Sequence, residues 1–303
     1  MERAFITDLM TELNFPAEAK TFLTGCLERI SQRCEAEFDG VTEFYYENGF
    51  DLKLTEPLLD EVSILGGVHR YTVDMLFLLS CAKRLRGAYA QKGIPDRIFL
   101  DTMCDLRFKL YECYETYGIW GTFVTFWYGI FFSCDLFRLG RLEYENTTYA
   151  HDIPFEKYGA TVRKGTPVKS IHIPSHCGPL TKELRMQSYK LAYDFFQEEL
   201  AGKPLICICH SWLLHSSTKE ILPAQSNTVS FVNDFEIPSE EDFNEFHDLW
   251  RVFGDQKGRP FSELPENTSM QRAYKQWLMD GKKLGAGLGI LVFDGEKLLG
   301  KDM

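Results

Sequence analysis

The stretch from Pro167 to Gln197 constrains the fold of this chain more than any other. Residues 168–173 alternate between two faces at a period of two, which is typical of a β-strand. Apolar residues then recur every three to four positions from Leu184 to Phe196, as in an amphipathic helix. Thr181 lies just before this helix and is a candidate cap. The sequence therefore predicts a strand that passes through a Gly-Pro turn directly into a helix.

The connection between this strand and this helix is a candidate anion site. The first backbone N–H groups of a helix have no partner within the helix, and they lie at its positive dipole end. A phosphate or pyrophosphate in the loop would accept hydrogen bonds from them. An ordinary strand-to-helix connection gives the same pattern, so both interpretations stay open. The residues that would contact the anion are Ser175, His176, Cys177, Gly178, Leu180 and Thr181.

Length and charge limit the class of protein. A chain of 303 residues exceeds the usual size of one hydrophobic core, so we expect two domains. The net charge is -11, and the chain has no cluster of Lys and Arg. Proteins that bind the phosphate backbone of nucleic acid need such a cluster. Nucleic acid is therefore not an expected partner.

The cysteines and the first residues favour a cytoplasmic protein. Nine cysteines are an odd number for a complete disulfide framework. Residues 1–15 carry acidic side chains and lack the apolar core of a secretion signal, so we expect reduced thiols. The uncharged stretch Ile119–Cys134 is shorter than the ~20 apolar residues that a bilayer requires. It predicts a buried core helix, and no membrane partner is expected.

The sequence pattern changes near Leu139. Before it the periods are helical, with Pro95 and Gly118 at helix boundaries, and helices are predicted over 17–30, 70–90, 96–117 and 119–134. After it the sequence predicts strands over 141–145, 161–173 with a turn at 164–165, 205–214, 228–237 and 285–293, and helices over 240–253 and 269–279. We expect an α+β protein with a helical domain over 1–138 and a mixed β-sheet domain flanked by helices over 139–303.

One part of the sheet topology follows from the order of these elements. Leu205–Leu214 is a short, nearly continuous apolar run, as expected for a central strand that is buried on both faces. It follows the helix that begins after the Gly-Pro turn. A strand, a loop, a helix and a second strand in this order predict a crossover between two parallel strands.

Several segments together resemble bacterial acyltransferases with a helical N-acyltransferase-type N-terminal domain and a C-terminal domain similar to the GNAT superfamily. The resemblance covers essentially the whole chain, and its specific motifs lie in the second half. They are RLGRLEYE at 138–145, PVKSIHIPSHCGPL at 167–180, CHSWLL at 209–214, LPAQSNTVSF at 222–231 and the final Gly-rich strand.

The resemblance implies a GNAT-like sheet in which the loop after strand Lys169–Ile173 holds the pyrophosphate of coenzyme A. The usual loop of that superfamily, Gln or Arg followed by spaced glycines, is absent here, and Gly178 alone stands in its place. The implied function is an acyl-CoA-dependent N-acyltransferase without a metal, acting on a small-molecule or peptide amine. The alternative is a ligand-binding or scaffolding protein that kept the fold and lost the chemistry.

Acyl transfer from a thioester to an amine needs a base and donors for the developing oxyanion. Glu143 and Glu145 project from one strand face about 7 Å apart, so one of them is a candidate base, although a solvated strand face gives the same pattern. His172 and His210 lie on candidate adjacent strands and could line one cleft. The backbone N–H groups near His172 and Ile173 are the candidate oxyanion donors.

Three further patterns resemble a serine hydrolase site, a zinc site and a dinucleotide-binding motif, but each departs from the spacing that such a site requires. Ser211 follows His210, but the Gly-x-Ser-x-Gly elbow of a serine hydrolase is missing. Cys207 and Cys209 are spaced as Cys-x-Cys on a strand, which does not suit a zinc knuckle even with His176 and Cys177 nearby. The glycines at 281–289 follow a helix and enter a strand, which reverses the order of a dinucleotide-binding motif.

Overall fold

A computed structural model describes residues 2–301 of the chain, which divide into two compact units, one ending at Phe137 and one beginning at Arg138. The first unit is helical, as predicted. Its helices are α1 (Arg3–Glu12), α2 (Ala17–Glu47), α3 (Leu52–Gly66), α4 (Arg70–Gln91), α5 (Asp96–Met103), α6 (Asp105–Tyr117) and α7 (Gly129–Phe132).

Helix α4 forms the centre of the first unit. Its residues from Thr72 to Leu79 are all buried, because α1, α2, α3, α5 and α6 pack around it. The predicted helix over 17–30 continues to Glu47, and the helix predicted over 96–117 is divided at Cys104. Helices α1 and α3 were not predicted. Among the described residues, no single helix combines the length and apolar character of a membrane span, although the sharply bent pair α3 and α4 meets that criterion jointly.

The prediction of one core helix over Ile119–Cys134 is wrong. Residues Thr125–Tyr128 form a 3-10 turn, and only α7 is α-helical. The segment before them lies directly on the start of α4, where the N–H of Thr122 donates to the carbonyl of Tyr71 at 2.9 Å. A Cβ on Gly121 would come 2.4 Å from that same carbonyl oxygen. This close backbone contact replaces the hydrogen bonds of a helix.

The second unit contains a mixed six-stranded sheet of order β1-β2-β5-β6-β8-β7 and a two-stranded hairpin, β3-β4. The strands are β1 (Leu136–Leu139), β2 (Leu142–Thr148), β3 (Phe155–Lys157), β4 (Ala160–Val162), β5 (Pro167–His172), β6 (Leu205–Ser211), β7 (Glu236–Asp242) and β8 (Gly285–Phe293). The helices are α8 (Lys182–Phe195), α9 (Gln197–Leu200), α10 (Ser217–Ile221), α11 (Asn227–Val232), α12 (Trp250–Phe253) and α13 (Ser269–Met279). The predicted α+β class is confirmed.

The predicted crossover is confirmed: β5 runs through α8 to β6, and these two strands are parallel neighbours. Two other predictions in this unit are wrong. The segment predicted as a strand over 228–237 begins as α11, whose first turn is capped by the Ser226 hydroxyl accepting from the N–H of Val229. The segment predicted as a helix over 240–253 begins with the end of β7, which pairs with β8.

The register gives the sheet two chemically different faces. Residues that lie directly opposite each other on paired strands share a face. The first, here called the histidine face, carries Glu143, Glu145, Ser170, His172, Ile208, His210 and Leu288. The second, here called the helix face, carries Tyr144, Lys169, Ile171, Cys207, Cys209 and Leu291, and it packs against α8, where Tyr144 and Ser188 hydroxyls hydrogen-bond at 3.0 Å.

The β3-β4 hairpin covers one end of the histidine face. Phe155, Ala160 and Val162 from the hairpin form an apolar cluster with Ile208 and Leu288 of the sheet. The other end of the same face, where β5 and β6 reach their carboxyl ends, carries the polar side chains. A candidate site is therefore restricted to that end.

Candidate functional site

The ladder between β5 and β6 ends before the carboxyl ends of the two strands. Their parallel register ends at the pair Ser170–Ile208, whereas β2 stays paired with β5 as far as His172 and β8 stays paired with β6 as far as Ser211. An extended ligand entering between the two strands would meet backbone groups that no longer serve the β5-β6 ladder. The sheet therefore provides an opening at the point where the sequence predicted a site.

His172 and Glu145 form a close pair beside this opening. His172 lies directly opposite Glu143 and diagonally opposite Glu145. Its Nε2 atom is 2.7 Å from Oε2 of Glu145, and about a quarter of each side chain is exposed. A carboxylate that hydrogen-bonds an imidazole fixes the orientation of the ring, and a ring so held is suited to take a proton from a substrate.

Glu143 has a different environment from Glu145. Only 2% of its surface is exposed, and it lies opposite His172 on the histidine face. The sequence placed the two carboxylates side by side on one strand face, and the structure has them there. The two carboxylates differ in burial, because Glu143 is almost fully buried, whereas about a fifth of the Glu145 side chain is exposed.

His210 forms a second pair on the same face, with a partner that the sequence did not reveal. Its Nε2 atom is 3.2 Å from Oε1 of Glu241 on β7, and about half of each side chain is exposed. Glu241 lies opposite Ala286 on β8, the strand between the two, so a small residue leaves room for the two long side chains to meet. No local pattern indicated this pair, because residues 228–237 and 240–253 were assigned to the wrong elements.

Arg141 donates hydrogen bonds to the backbone of the loop after β5. This guanidinium is almost fully buried, and it donates from Nε to the carbonyls of Gly178 and Pro179 at 3.1 and 3.3 Å and from Nη1 to that of Pro174 at 3.0 Å. Burial lowers the pKa of Arg141 from its usual value, yet an arginine stays charged at physiological pH. It fixes the loop and places a positive charge behind it. In the sequence, Arg141 is two residues before Glu143, and this spacing indicates that the two side chains share one strand face.

The loop itself has the conformation that its one glycine allows. Gly178 has a φ of +80°, where a side chain is strained, and the space around its Cα is open. The Thr181 hydroxyl accepts from the N–H of Leu184 at 3.4 Å and caps α8, as predicted. His176 lies in the same loop with Nδ1 2.9 Å from the Ser175 hydroxyl. The residues predicted to bind the co-substrate also include Ile173, Cys177 and Leu180. The carbonyl of Leu180 accepts a hydrogen bond from Nη1 of Arg185 at 2.6 Å.

The structure does not bring Cys207, Cys209, His176 and Cys177 together as ligands of one ion. Cys207 and Cys209 are buried on the helix face, and burial raises the pKa of Cys209 to about 12. Within residues 2–301 no group of three or more metal-ligating side chains is close enough to hold an ion. The Ser211 hydroxyl accepts from the N–H of Leu213 at 3.2 Å, as a turn residue does.

Two family models together cover nearly the whole chain. Residues 4–134 match the N-acyltransferase N-terminal domain, and residues 136–291 match the GNAT-like C-terminal domain. This chain belongs to the GNAT-like N-acyltransferase family. The prediction of an acyltransferase is thereby confirmed. None of the curated proteins matches the acyltransferase by sequence.

Solved structures of acyltransferases share the fold. One is an acyltransferase in complex with decanoyl-CoA and teicoplanin, and another is an acyltransferase mutant in complex with octanoyl-CoA. Each is 21% identical, covers 94% of this chain and 87% of its own, and has a TM-score of 0.73. A third, in complex with CoA and 10C-teicoplanin, is 20% identical with a TM-score of 0.71. At this level of identity the likeness concerns the fold.

Proposed function

We propose that this acyltransferase moves an acyl group from coenzyme A to an amine, with His172 as the general base oriented by Glu145. The observation that carries the proposal is the 2.7 Å contact between these two side chains at the edge of the β5-β6 opening. The two-domain division over 1–138 and 139–303 is retained with it. A thioester lying in the opening would present its carbonyl carbon next to the imidazole.

The pyrophosphate of the co-substrate is assigned to the loop 175–181. Gly178 allows close approach of the backbone, α8 contributes its positive end, and Arg141 contributes a buried charge. The backbone N–H groups of His172 and Ile173 are the proposed oxyanion donors. The proposed scheme uses no metal, because side chains and backbone N–H groups supply the base and the oxyanion donors.

The acyl and acceptor classes are drawn from the related structures. Acyltransferases of this fold were solved with decanoyl-CoA and octanoyl-CoA, and one of them with teicoplanin. We propose a medium-chain acyl-CoA as donor and a small-molecule or peptide-like amine as acceptor. Within the cell we place this reaction in the cytoplasm.

The test is release of the free thiol of CoA from octanoyl-CoA, followed with a thiol reagent, in the presence of teicoplanin or simple primary amines. We expect amine-dependent release, and His172→Gln should lower kcat by about 100-fold or more while the Kd for octanoyl-CoA changes little. Binding of octanoyl-CoA without turnover for any amine would favour a ligand-binding protein that has lost the chemistry. No binding would overturn the proposal.

A further inference from the structure

The two histidines of the histidine face are placed symmetrically about the β5-β6 opening. The last paired residues are Ser170 and Ile208, so His172 and His210 each lie two residues beyond the end of the ladder, on the same face and at the same end of the sheet. At a rise of about 3.3 Å per residue, each is about 7 Å past the last pair. A thioester in the opening would therefore have one imidazole on each side.

Acyl transfer needs a proton at two different atoms. One proton leaves the attacking nitrogen, and one reaches the departing sulfur, because an alkyl thiol with a pKa of about 8.5 is mostly protonated at neutral pH. The proposed function assigns the first proton to His172 and leaves the second without a donor. We propose that His210 is a catalytic acid that donates a proton to the sulfur of coenzyme A as it leaves. This inference rests on the proposed function.

The reaction exchanges the C–S bond of the thioester for the C–N bond of an amide. The lone pair of the amine nitrogen attacks the thioester carbon and forms the C–N bond, and His172 takes one proton from that nitrogen. The C–S bond then breaks and its electron pair passes to sulfur. The proton of the His210 imidazolium passes to the same sulfur. Amide and coenzyme A are released. His172 is then protonated and His210 is neutral, and proton exchange with water returns both rings to their starting states.

Glu241 gives His210 the partner that a proton donor requires. Its carboxylate is 3.2 Å from Nε2, so the protonated ring forms an ion pair there. The His151 ring also lies beside that of His210, with their centroids 6.5 Å apart. About half of the His210 side chain is exposed, so a substrate can reach it.

The end of β7 also makes contacts on the face of the sheet opposite to Glu241. Asp242 and Glu240 alternate with Glu241 and point to the helix face. There Asp242 lies 3.2 Å from Nε2 of the buried His215, and Glu240 accepts from the N–H of Ser216 at 3.0 Å. Gly285 makes this contact possible, because a Cβ there would come 2.7 Å from the His215 ring.

The experiment compares two leaving groups. Variants are assayed with octanoyl-CoA and with the octanoyl thioester of 5-thio-2-nitrobenzoate, whose acidic thiol leaves without a proton, using teicoplanin as acceptor. Each kcat/KM is expressed relative to the unchanged protein with the same thioester, so weaker binding of the smaller thioester cancels. His210→Gln should lose about 100-fold with octanoyl-CoA and no more than about threefold with the second thioester.

Matched variants separate the roles. His172→Gln should lose activity with both thioesters, and Glu241→Gln should follow the pattern of His210→Gln at about tenfold. His151→Gln is the control for a nearby imidazole and should stay within about twofold. Equal losses with both thioesters in a His210→Gln protein of unchanged Tm would overturn the assignment, as would an unchanged rate. Absence of turnover by the unchanged protein would instead overturn the proposed function and this inference together.

Discussion

The two faces of the central sheet use the same kinds of side chain for different purposes. On the helix face, the Arg185 guanidinium is fully buried and donates to Asp234 from Nε at 2.6 Å and to the Ser230 hydroxyl at 3.0 Å. On the histidine face, His172 and Glu145 also form a charge-capable pair, but a quarter of each side chain remains exposed.

The two networks differ in how many of their polar groups are already hydrogen-bonded within the protein. Arg185 also donates to the Leu180 carbonyl, and Asp234 also accepts from the Tyr189 hydroxyl at 2.9 Å, so this network is complete within the protein. Lys169 is likewise buried between Asn146 and Glu199. An enclosed, fully bonded network stabilises one arrangement of α8 and α11. A pair that a substrate can reach is available for proton transfer.

The largest effect is expected on the helix face. Arg185→Met leaves the Asp234 carboxylate buried without its cation, and we expect a loss of about 3–5 kcal/mol in the free energy of unfolding. Urea denaturation measures it. The double variant Arg185→Met/Asp234→Asn removes both charges and should recover about 2 kcal/mol of that loss. A single variant that loses less than about 1 kcal/mol would show that the two faces do not differ in this way.

The next largest effect is expected on the histidine face, and it should appear in rate instead of stability. Glu145→Gln keeps the size of the side chain but weakens its hold on His172, so kcat should fall by about 100-fold with an unchanged Tm. Glu143→Gln is the matched control on the same strand and face. If Glu143→Gln is the more damaging of the two, the buried carboxylate is the base and the assignment to His172 is wrong.

The loop that leads from β5 to α8 joins the two faces, and its glycine should affect binding of the co-substrate. Gly178→Asp places a negative charge where the pyrophosphate is proposed, and we expect the Kd for coenzyme A to rise by about tenfold in calorimetry. Gly165→Asp is a close control, because Gly165 also has a positive φ and open space around it but lies in the turn before β5. Equal affinities in the two variants would remove the pyrophosphate from this loop.

The smallest effect concerns the covered end of the histidine face. The Lys157 ammonium, 2.6 Å from Glu236, together with Lys301 lowers the pKa of Glu236 to about 2, below its ordinary 4.5. A carboxyl group with a lowered folded-state pKa stabilises above its unfolded pKa, and this contribution is lost as the pH falls from about 4.5 to about 2.

Because these partners are partly exposed, the contribution should be less than about 1 kcal/mol. Unfolding by urea at pH 3 and pH 7 measures it, with Glu236→Gln showing a weaker pH dependence than the unchanged protein. A pH dependence that Glu236→Gln leaves intact would mean that the hairpin end of the face depends on other groups.

The sequence predicted elements well where one pattern dominates locally. The strand β5, the cap at Thr181, helix α8 and the bounds of α13 and β8 follow from periodicity and turn residues within each segment. It failed where tertiary contacts override local preference. The β-branched residues of α11 favour a strand, but Asp234 at its end is drawn to Arg185, 49 residues away in sequence.

The sequence predicted several residues of the site, but it did not predict which of them contact each other. Glu145 and His172 were both candidates, yet their contact depends on the register of β2 against β5, which joins residues 27 apart in sequence. Glu241 was missed because its strand was assigned as a helix. Arg141 was on the correct face of the motif, but a sequence does not show that a side chain turns under a loop to bind its carbonyls.

The short parallel ladder between β5 and β6 has a consequence for ligand binding. It divides the sheet into two antiparallel halves, β1-β2-β5 and β6-β8-β7, whose strand pairing with each other consists of the pairs Lys169–Cys207 and Ser170–Ile208. His172 and Glu145 lie wholly on one half, whereas His210 and Glu241 lie wholly on the other. A ligand that entered between β5 and β6 would therefore contact one histidine pair from each half of the sheet.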